Sequence, residues 1–218
     1  KPHPRDVTAD AAPVSYAGAA FLSPSQGDCM TLIRTVEPSA EPVTLAEAKA
    51  HLRIDHSSED DLLAGLIRAA REEVERAGGL ALVEQSWRLV LDAWPRNGAV
   101  TIPLRPVRTV LSVTAYGPDG EASLINPAGY QADTLSRPSR IRFGDAPPAL
   151  RTMNGIEIDF TAGFGEAGTD VPDLLRRAML LLVAHWYEFR TAFGPKDQPV
   201  GYPAGYDRLI APFRTRRL

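Results

Sequence analysis

Residues 44–79 read TLAEAKAHLRIDHSSEDDLLAGLIRAAREEVERAGG, and this stretch predicts two consecutive α-helices. Thr44 and Glu47 have the T-x-x-E spacing of a capping box, which begins the first helix. After a polar link, Ser58 is placed to cap the second helix, and Gly78-Gly79 is placed to end it. Between them, apolar side chains recur at spacings of three and four residues and form one stripe: Leu62, Leu63, Leu66, Ile67, Ala70 and Val74.

The middle of the chain changes from a helical period to a period of two. Apolar and polar residues alternate in short segments, which is typical of half-buried β-strands, at 87–93, 100–104, 110–116, 141–143 and 156–160. The sequence PRNG at 95–98 contains Asn-Gly, the strongest short signal for a hairpin turn. These patterns predict a small antiparallel sheet or sandwich.

The last third of the chain returns to helical patterns. Asp170 is a predicted N-cap, with Pro172 in the first turn of a helix that continues over 174–190. This helix is apolar on almost every side, which predicts either the centre of a bundle or a face covered by another chain. A shorter helix is predicted over about 204–213.

Together the patterns predict an α+β fold. Its core is a helical bundle of two N-terminal and two C-terminal helices, with an antiparallel β domain inserted between them. The predicted boundaries are 30–79 and 166–218 for the two parts of the helical core and 80–165 for the β domain. Residues 1–29 have neither period and are rich in Ala, Pro, Ser and Gly, which predicts an extended arm. Whether Met30 is the true translation start stays open.

The composition excludes several classes of protein. The chain has 218 residues, of which 44% are hydrophobic, and a net charge of −3, so it is globular and not a general polyanion binder. Cys29 is the single cysteine, which excludes a disulfide framework and a cysteine-based zinc cluster. No phosphate-loop, dinucleotide-binding, serine-hydrolase or zinc-protease motif is present. We therefore expect no cofactor and no metal, and the absence of a long apolar run predicts a cytoplasmic product without a membrane segment.

An enzymatic alternative rests on His51 and Asp55. These residues are four positions apart and would share a helix face, as an acid–base pair in an uncharacterised hydrolase does. A surface histidine near a helix C-terminus explains the same residues more simply. The neighbouring pair Asp60-Asp61 is likewise explained by the preference of helix N-termini for negative charge.

A second alternative is a DNA-packaging accessory factor that resembles a small terminase subunit. Two helices joined by a short link are typical of helix-turn-helix proteins, whose second helix presents basic or amide side chains. Here that helix begins with Glu59-Asp60-Asp61, and residues 30–79 carry six basic and ten acidic side chains, a net charge of −4. This charge opposes binding to phosphates.

The C-terminus has the opposite charge. Residues 200–218 carry four arginines and one aspartate, a net charge of +3. Composition alone leaves two interpretations open: a frayed basic end, or a docking tail in which aromatic and aliphatic anchors are followed by arginines.

Several short segments occur in a characteristic order and spacing: VTLAEAKAHLRI at 43–54, EDDLL at 59–63, AARE at 69–72, QSW at 85–87, WP at 94–95, PV at 106–107, VP at 171–172, WYEFR at 186–190 and LIAPFR at 209–214. Over about residues 31–218 the chain resembles the head–tail connector (adaptor) proteins of long-tailed phages, prophages and gene transfer agents. The arm at 1–29 lies outside this resemblance.

The resemblance implies a structural virion protein and no enzyme activity. Such adaptors form a homo-oligomeric ring, dodecameric in the family, between the portal protein and a stopper or tail-completion protein. DNA passes through the ring without specific recognition. The implied location is the neck of a virion or phage-like particle that is assembled in the bacterial cytoplasm.

The resemblance also suggests two sets of site residues. The C-terminal segment reaches the portal in such proteins, which makes the following residues portal-contact candidates: Tyr206, Leu209, Ile210, Phe213, Arg214, Arg216 and Arg217. A channel that passes DNA benefits from an acidic lining, because carboxylates do not hold phosphates. If the second helix faces inward, the candidates for that lining are Glu59, Asp60, Asp61, Glu72, Glu73 and Glu75.

Overall fold

The computed structural model describes residues 30–144, 148–189 and 202–214. It confirms the predicted α+β class, with helices on both sides of the antiparallel strands in the sequence. These helices are α1 (Leu45–Leu52), α2 (Asp60–Gly78), α3 (Asp173–Glu188) and α4 (Tyr206–Ile210). The predicted arm with Cys29, and the predicted contacts Arg216 and Arg217, lie outside the described residues.

The strands form two antiparallel sheets. They are β1 (Met30–Val36), β2 (Gln85–Leu91), β3 (Ala99–Ile102), β4 (Val107–Tyr116), β5 (Ala122–Leu124), β6 (Tyr130–Asp133), β7 (Ser139–Phe143) and β8 (Ile156–Ala162). One sheet has the order β1-β2-β8-β4-β5, and the other has the order β3-β7-β6. β1 pairs with β2 at the edge of the larger sheet, so residues that the sequence assigned to the first helical part belong to that sheet.

Two hydrophobic cores hold these elements. One lies among the helices and includes Ile67 and Val74 of α2 and Leu175, Met179 and Leu182 of α3. The other lies between the sheets and includes, at its centre, Leu89, Ile102, Ile141, Ile158 and Phe160. The opposite side of α3 is less buried than its composition predicts, since Leu174 is 46% exposed. The described chain therefore covers one side of α3 and leaves the other partly open.

Three predicted local features differ from the structure. The N-cap of α2 is Glu59 and not Ser58, whose hydroxyl is hydrogen-bonded to the His56 ring. The N-cap of α3 is Pro172, because the Asp170 carboxylate instead accepts a hydrogen bond from the backbone N–H of Ala167. The turn at 95–98 forms, with Gly98 at a φ of +68°, but it joins strands of different sheets and closes no hairpin.

The capping box of α1 forms as the sequence predicts. The Thr44 hydroxyl accepts a hydrogen bond from the backbone N–H of Glu47 at 3.2 Å, and the Glu47 carboxylate accepts one from the backbone N–H of Thr44 at 2.8 Å. Arg176 of α3 also donates to this carboxylate, which ties α1 to α3. The bond from Thr44 is the main cause that holds the pKa of Glu47 below its ordinary value of 4.5.

The lowered pKa of Glu47 predicts a loss of stability in acid. At a pH near or below 4.5 the unfolded chain binds a proton at Glu47 more readily than the folded chain does, so protonation favours unfolding. We expect Glu47→Gln, which keeps a side chain able to close the capping box, to be less stable than the wild type at neutral pH. The difference should shrink as the pH falls through the Glu47 titration. Urea unfolding of both proteins at several pH values checks this, and a difference that does not depend on pH would contradict it.

Candidate functional site

The C-terminal segment 202–214 is docked on the helical core. Tyr206 and Ile210, one helical turn apart in α4, are both fully buried in the core that α2 and α3 form. The Tyr206 ring also stacks on Tyr202, with a centroid distance of 5.0 Å and an interplanar angle of 18°. The segment is therefore part of the folded chain up to Arg214.

Polar contacts fix both ends of this segment. At its start, the Tyr202 hydroxyl donates to the Glu73 carboxylate at 2.7 Å, and Arg76 donates to the same carboxylate. At its end, Nη2 of Arg105 donates to the carbonyl oxygens of Phe213 at 2.6 Å and Gly78 at 2.9 Å. Gly78 is the last residue of α2, where a cation is favoured by the helix dipole. Arg105 therefore joins the end of α2 to the end of the C-terminal segment.

The portal-contact candidates fall into three groups. Tyr206 and Ile210 are buried in their own chain, so they anchor the segment and do not present a surface to a partner. Leu209 and Phe213 are partly buried and pack against the helical core. Arg214 is exposed, and its guanidinium pairs with Asp207 at 2.7 Å. The side chains of Tyr206 and Ile210 are thus covered within their own chain, and the portal contact of the seven candidates stays a prediction.

Arg105 was not found from the sequence. It lies between β3 and β4 in a stretch with no charge pattern of its own, and its partners are backbone carbonyls distant in the sequence. Because every residue has a backbone carbonyl, the pattern of residue types does not show which carbonyls accept a hydrogen bond from Arg105. Burial lowers the pKa of Arg105, and the nearby charge of Arg137 lowers it further.

Glu75 belongs to an internal ion cluster. One of its oxygens accepts hydrogen bonds from the backbone N–H of Leu82 at 2.9 Å and from the Gln85 amide at 2.8 Å. The other accepts from Arg71 at 3.2 Å and from Arg34 at 3.4 Å. The residue is 6% exposed. Glu75 therefore connects α2 to β1 and to the start of β2, and its carboxylate is buried within the chain.

Comparisons with known proteins found one matching family and several similar solved structures. The phage gp6-like head–tail connector protein family matches residues 42–117. The solved structure of the virion of a native gene transfer agent (GTA) particle contains a chain that is 31% identical in sequence, with a TM-score of 0.74, and the match covers 86% of this chain and 96% of that one. This chain belongs to the head–tail connector family. Head–tail connectors are structural components of the neck, where the head of a phage-like particle meets its tail, and the connector described here is not an enzyme.

Two further solved structures are similar to the connector. One is the neck of an empty GTA particle computed with C6 symmetry, at 30% identity and a TM-score of 0.72, covering 86% of this chain and 97% of that chain. The other is the neck of a native GTA particle computed with C12 symmetry, at 30% identity and a TM-score of 0.68, covering 87% and 97%. No curated protein sequence matches the connector significantly. The family resemblance, the structural class and the location in the neck are thus confirmed.

The other acidic candidates of the connector differ in exposure. Glu59 accepts a hydrogen bond from the Tyr187 hydroxyl, Asp60 pairs with Lys49 at 2.7 Å, and Glu73 is held by Arg76 and Tyr202. Asp61 and Glu72 are exposed. The exposed Arg68 lies four residues before Glu72, on the same outer side of α2. This side of α2 therefore carries charges of both signs.

The residues of the enzymatic alternative are not brought together in the connector. The helix α1 ends at Leu52, and the exposed Asp55 follows it without a hydrogen bond or ion pair to His51 within the described structure. Burial lowers the pKa of His51, and the charge of Arg177 lowers it further. Among the residues in 30–144, 148–189 and 202–214, no group of three or more His, Cys, Asp or Glu side chains is placed to hold a metal ion. No helix in these ranges has the length and hydropathy required to span a bilayer.

Proposed function

We propose that the connector forms a dodecameric ring of identical subunits in the neck of a gene-transfer-agent-like particle. The ring joins the portal protein to a stopper or tail-completion protein, and its C-terminal end makes the portal contact. Similar chains occur in GTA necks computed with C6 and with C12 symmetry, which supports a twelve-subunit ring. A head-to-tail contact between identical subunits closes into such a ring when the rotation per subunit divides a full turn.

The docked C-terminal segment carries this proposal. Because Tyr206 and Ile210 are buried and Arg105 holds the Phe213 carbonyl, the position of Arg214 is fixed relative to the core. The remaining residues, 215–218, contain Arg216 and Arg217 and begin at that fixed point. Arginine is enriched at strong protein interfaces, and a fixed starting point reduces the entropy that binding costs.

The passage of DNA remains part of the proposal. Of the acidic candidates, Asp61 and Glu72 are exposed and available to a channel, together with Arg68 between them. A surface with both signs of charge gives little net attraction to phosphates, so DNA would pass it without being held. The exposed charges of Asp61, Arg68 and Glu72 therefore favour a channel lining of mixed charge over a strongly acidic lining.

Removing residues 215–218 is expected to weaken portal binding about tenfold or more while leaving the fold intact. The deletion ends after Arg214, so Tyr206, Ile210 and the Phe213 carbonyl keep their contacts. Co-sedimentation with portal rings purified from the same particle measures the binding, and thermal unfolding measures the fold. A deletion that began at residue 205 would instead remove core side chains, so its result would not separate binding from folding.

Two controls make this test specific. The double variant Arg216→Glu with Arg217→Glu keeps the chain length and should lose binding to a similar extent, because the contact depends on positive charge. Arg96→Glu changes an exposed arginine in the turn before β3 and should bind the portal normally. Unchanged portal binding by the chain that ends at Arg214 would refute the proposed contact.

A further inference from the structure

The loop between β6 and β7, residues 134–138, is held in one conformation by its own hydrogen bonds. The Asp133 carboxylate accepts from the backbone N–H of Ser136 at 3.0 Å, from the Ser136 hydroxyl at 2.6 Å and from Arg140 at 3.1 Å. The buried hydroxyl of Ser139 lies 3.4 Å from the carbonyl oxygens of Thr134 and Ser136. These bonds also lower the pKa of Asp133, with the Ser136 hydroxyl as the largest cause. The loop is therefore preorganised before any partner binds.

This fixed loop presents an apolar side chain and a free cation to solvent. Leu135 is 93% exposed, more than any other large apolar side chain in the described residues. Arg137 is exposed, and within the described part of the chain its guanidinium has no hydrogen-bond or ion-pair partner. Exposure of an apolar side chain to water is unfavourable. An apolar pocket on a partner would remove the surface of Leu135 from water.

The loop lies beside the end of the C-terminal segment. Ile102, the last residue of β3, pairs with Ser139, the first residue of β7. Since the strands are antiparallel, residues 103–106 and residues 134–138 leave the same end of the smaller sheet. Arg105 lies in the first of these stretches and donates to the Phe213 carbonyl. The loop and the starting point of residues 215–218 are thus neighbours on one surface.

The charges on this surface have one predominant sign. The charge of Arg214 is balanced by Asp207, but Arg105 and Arg137 lie close enough for the charge of Arg137 to lower the pKa of Arg105, and the sequence continues to Arg216 and Arg217. The carboxylates nearby in the sequence, Asp133 and Asp207, already have arginine partners. A partner that covers this surface needs carboxylates to balance the arginines and an apolar pocket to receive Leu135.

We infer that the β6–β7 loop is a second contact element of the portal-facing surface, in which Leu135 enters an apolar pocket and Arg137 pairs with a carboxylate of the portal protein. The inference rests on the proposed portal contact of the C-terminal end. The portal protein is the expected partner because the loop is continuous with that contact. A side chain on a fixed loop loses little conformational freedom when a partner covers it, and arginine is enriched among the residues that dominate binding energy at protein interfaces.

The test uses the full-length connector and portal rings from the same particle. Leu135→Asp and Arg137→Glu are each expected to weaken portal binding about tenfold, with unchanged thermal stability and unchanged self-assembly. Leu124→Asp is the matched control for the first variant, because Leu124 is also highly exposed, at 69%, but lies on β5 of the other sheet. Arg96→Glu is the control for the second.

The outcomes separate this inference from the proposed function. Normal portal binding by both loop variants, together with weak binding by the chain that lacks 215–218, overturns the loop contact and leaves the proposed function in place. Loss of ring formation by the loop variants overturns it in favour of a contact between copies of the connector. If the loop variants and the deletion all bind normally, both the inference and the portal contact of the C-terminal end are wrong.

Discussion

Tyr206→Ala is expected to lower the free energy of unfolding by about 3–5 kcal/mol, because it removes a fully buried aromatic ring and leaves a cavity between α2, α3 and α4. The stacking partner Tyr202 would lose its contact as well. Without this anchor, α4 and the Phe213 carbonyl would no longer be held in place, so portal binding should fall together with stability. Urea unfolding followed by circular dichroism measures the loss.

Tyr206→Phe is the matched control for this prediction. The hydroxyl of Tyr206 is buried, and it has no hydrogen-bond partner among the residues that the structure describes. Burial is also the main cause that raises the pKa of this hydroxyl. Removing an unsatisfied buried hydroxyl costs little or stabilises the fold, so we expect wild-type stability or slightly more.

The two variants together distinguish an anchor from a portal contact. An anchor requires that Tyr206→Phe bind the portal as the wild type does and that Tyr206→Ala lose stability. A hydroxyl that contacts the portal would instead make Tyr206→Phe a stable protein with weak binding. If Tyr206→Ala stays within about 1 kcal/mol of the wild type, the anchoring role is contradicted.

The parts of the fold that follow from the sequence are those with local causes. The capping box of Thr44 and Glu47 and the apolar spacing after residue 62 depend on neighbours within two helical turns, and both predict the structure correctly. The alternation in β2, β4, β7 and β8 is visible because one face of each strand meets a core. The family resemblance then added the function, which no local pattern shows.

The parts that the sequence missed depend on distant partners. β1 has no clean alternation because Arg34 lies on the same side as Met30 and Leu32, where its charge is balanced by Glu37 and Glu75. β5 and β6 have only three and four residues, too few for a period to be recognised. For the C-terminal segment, aromatic residues followed by arginines describe a docking tail and a buried anchor equally well. In the structure, the side chains of Tyr206 and Ile210 are buried against α2 and α3, so these two residues anchor the segment.

A signal for the burial of Glu75 was present in the sequence. Arg71 and Glu75 are four residues apart, and they flank the apolar stripe at Ile67, Ala70 and Val74. Grouping the acidic residues of α2 as candidates for one channel lining did not separate the buried Glu75 from the exposed ones. The exposed Glu72 and the buried Glu75 lie three positions apart on the same helix and differ only in which side of it they occupy.

Glu75→Ala is expected to destabilise the connector by about 3–5 kcal/mol, since it removes the buried carboxylate that Arg71 and Arg34 share and leaves each cation with only its more exposed partner, Glu41 or Glu37. Arg71 is 3% exposed and would keep one partner, Glu41 at 3.0 Å, while Arg34 would lose its link to α2. Burial alone would lower the pKa of Arg71, but the carboxylates of Glu75 and Glu41 raise it above its ordinary value. The backbone N–H of Leu82 and the Gln85 amide would also lose their acceptor.

Glu72→Ala is the matched control, because it removes the same side chain from an exposed position of the same helix and should change stability by no more than about 0.5 kcal/mol. Glu75→Gln separates charge from size. Burial raises the pKa of Glu75, yet both of its oxygens accept only from donors, so the ionised form is the one that fits the hydrogen bonds. A glutamine would place an NH₂ group against some of these donors and supply no charge, so we expect it to recover little of the loss. Equal stability of Glu75→Ala and Glu72→Ala in urea unfolding would show that the cluster does not join the helices to the sheet.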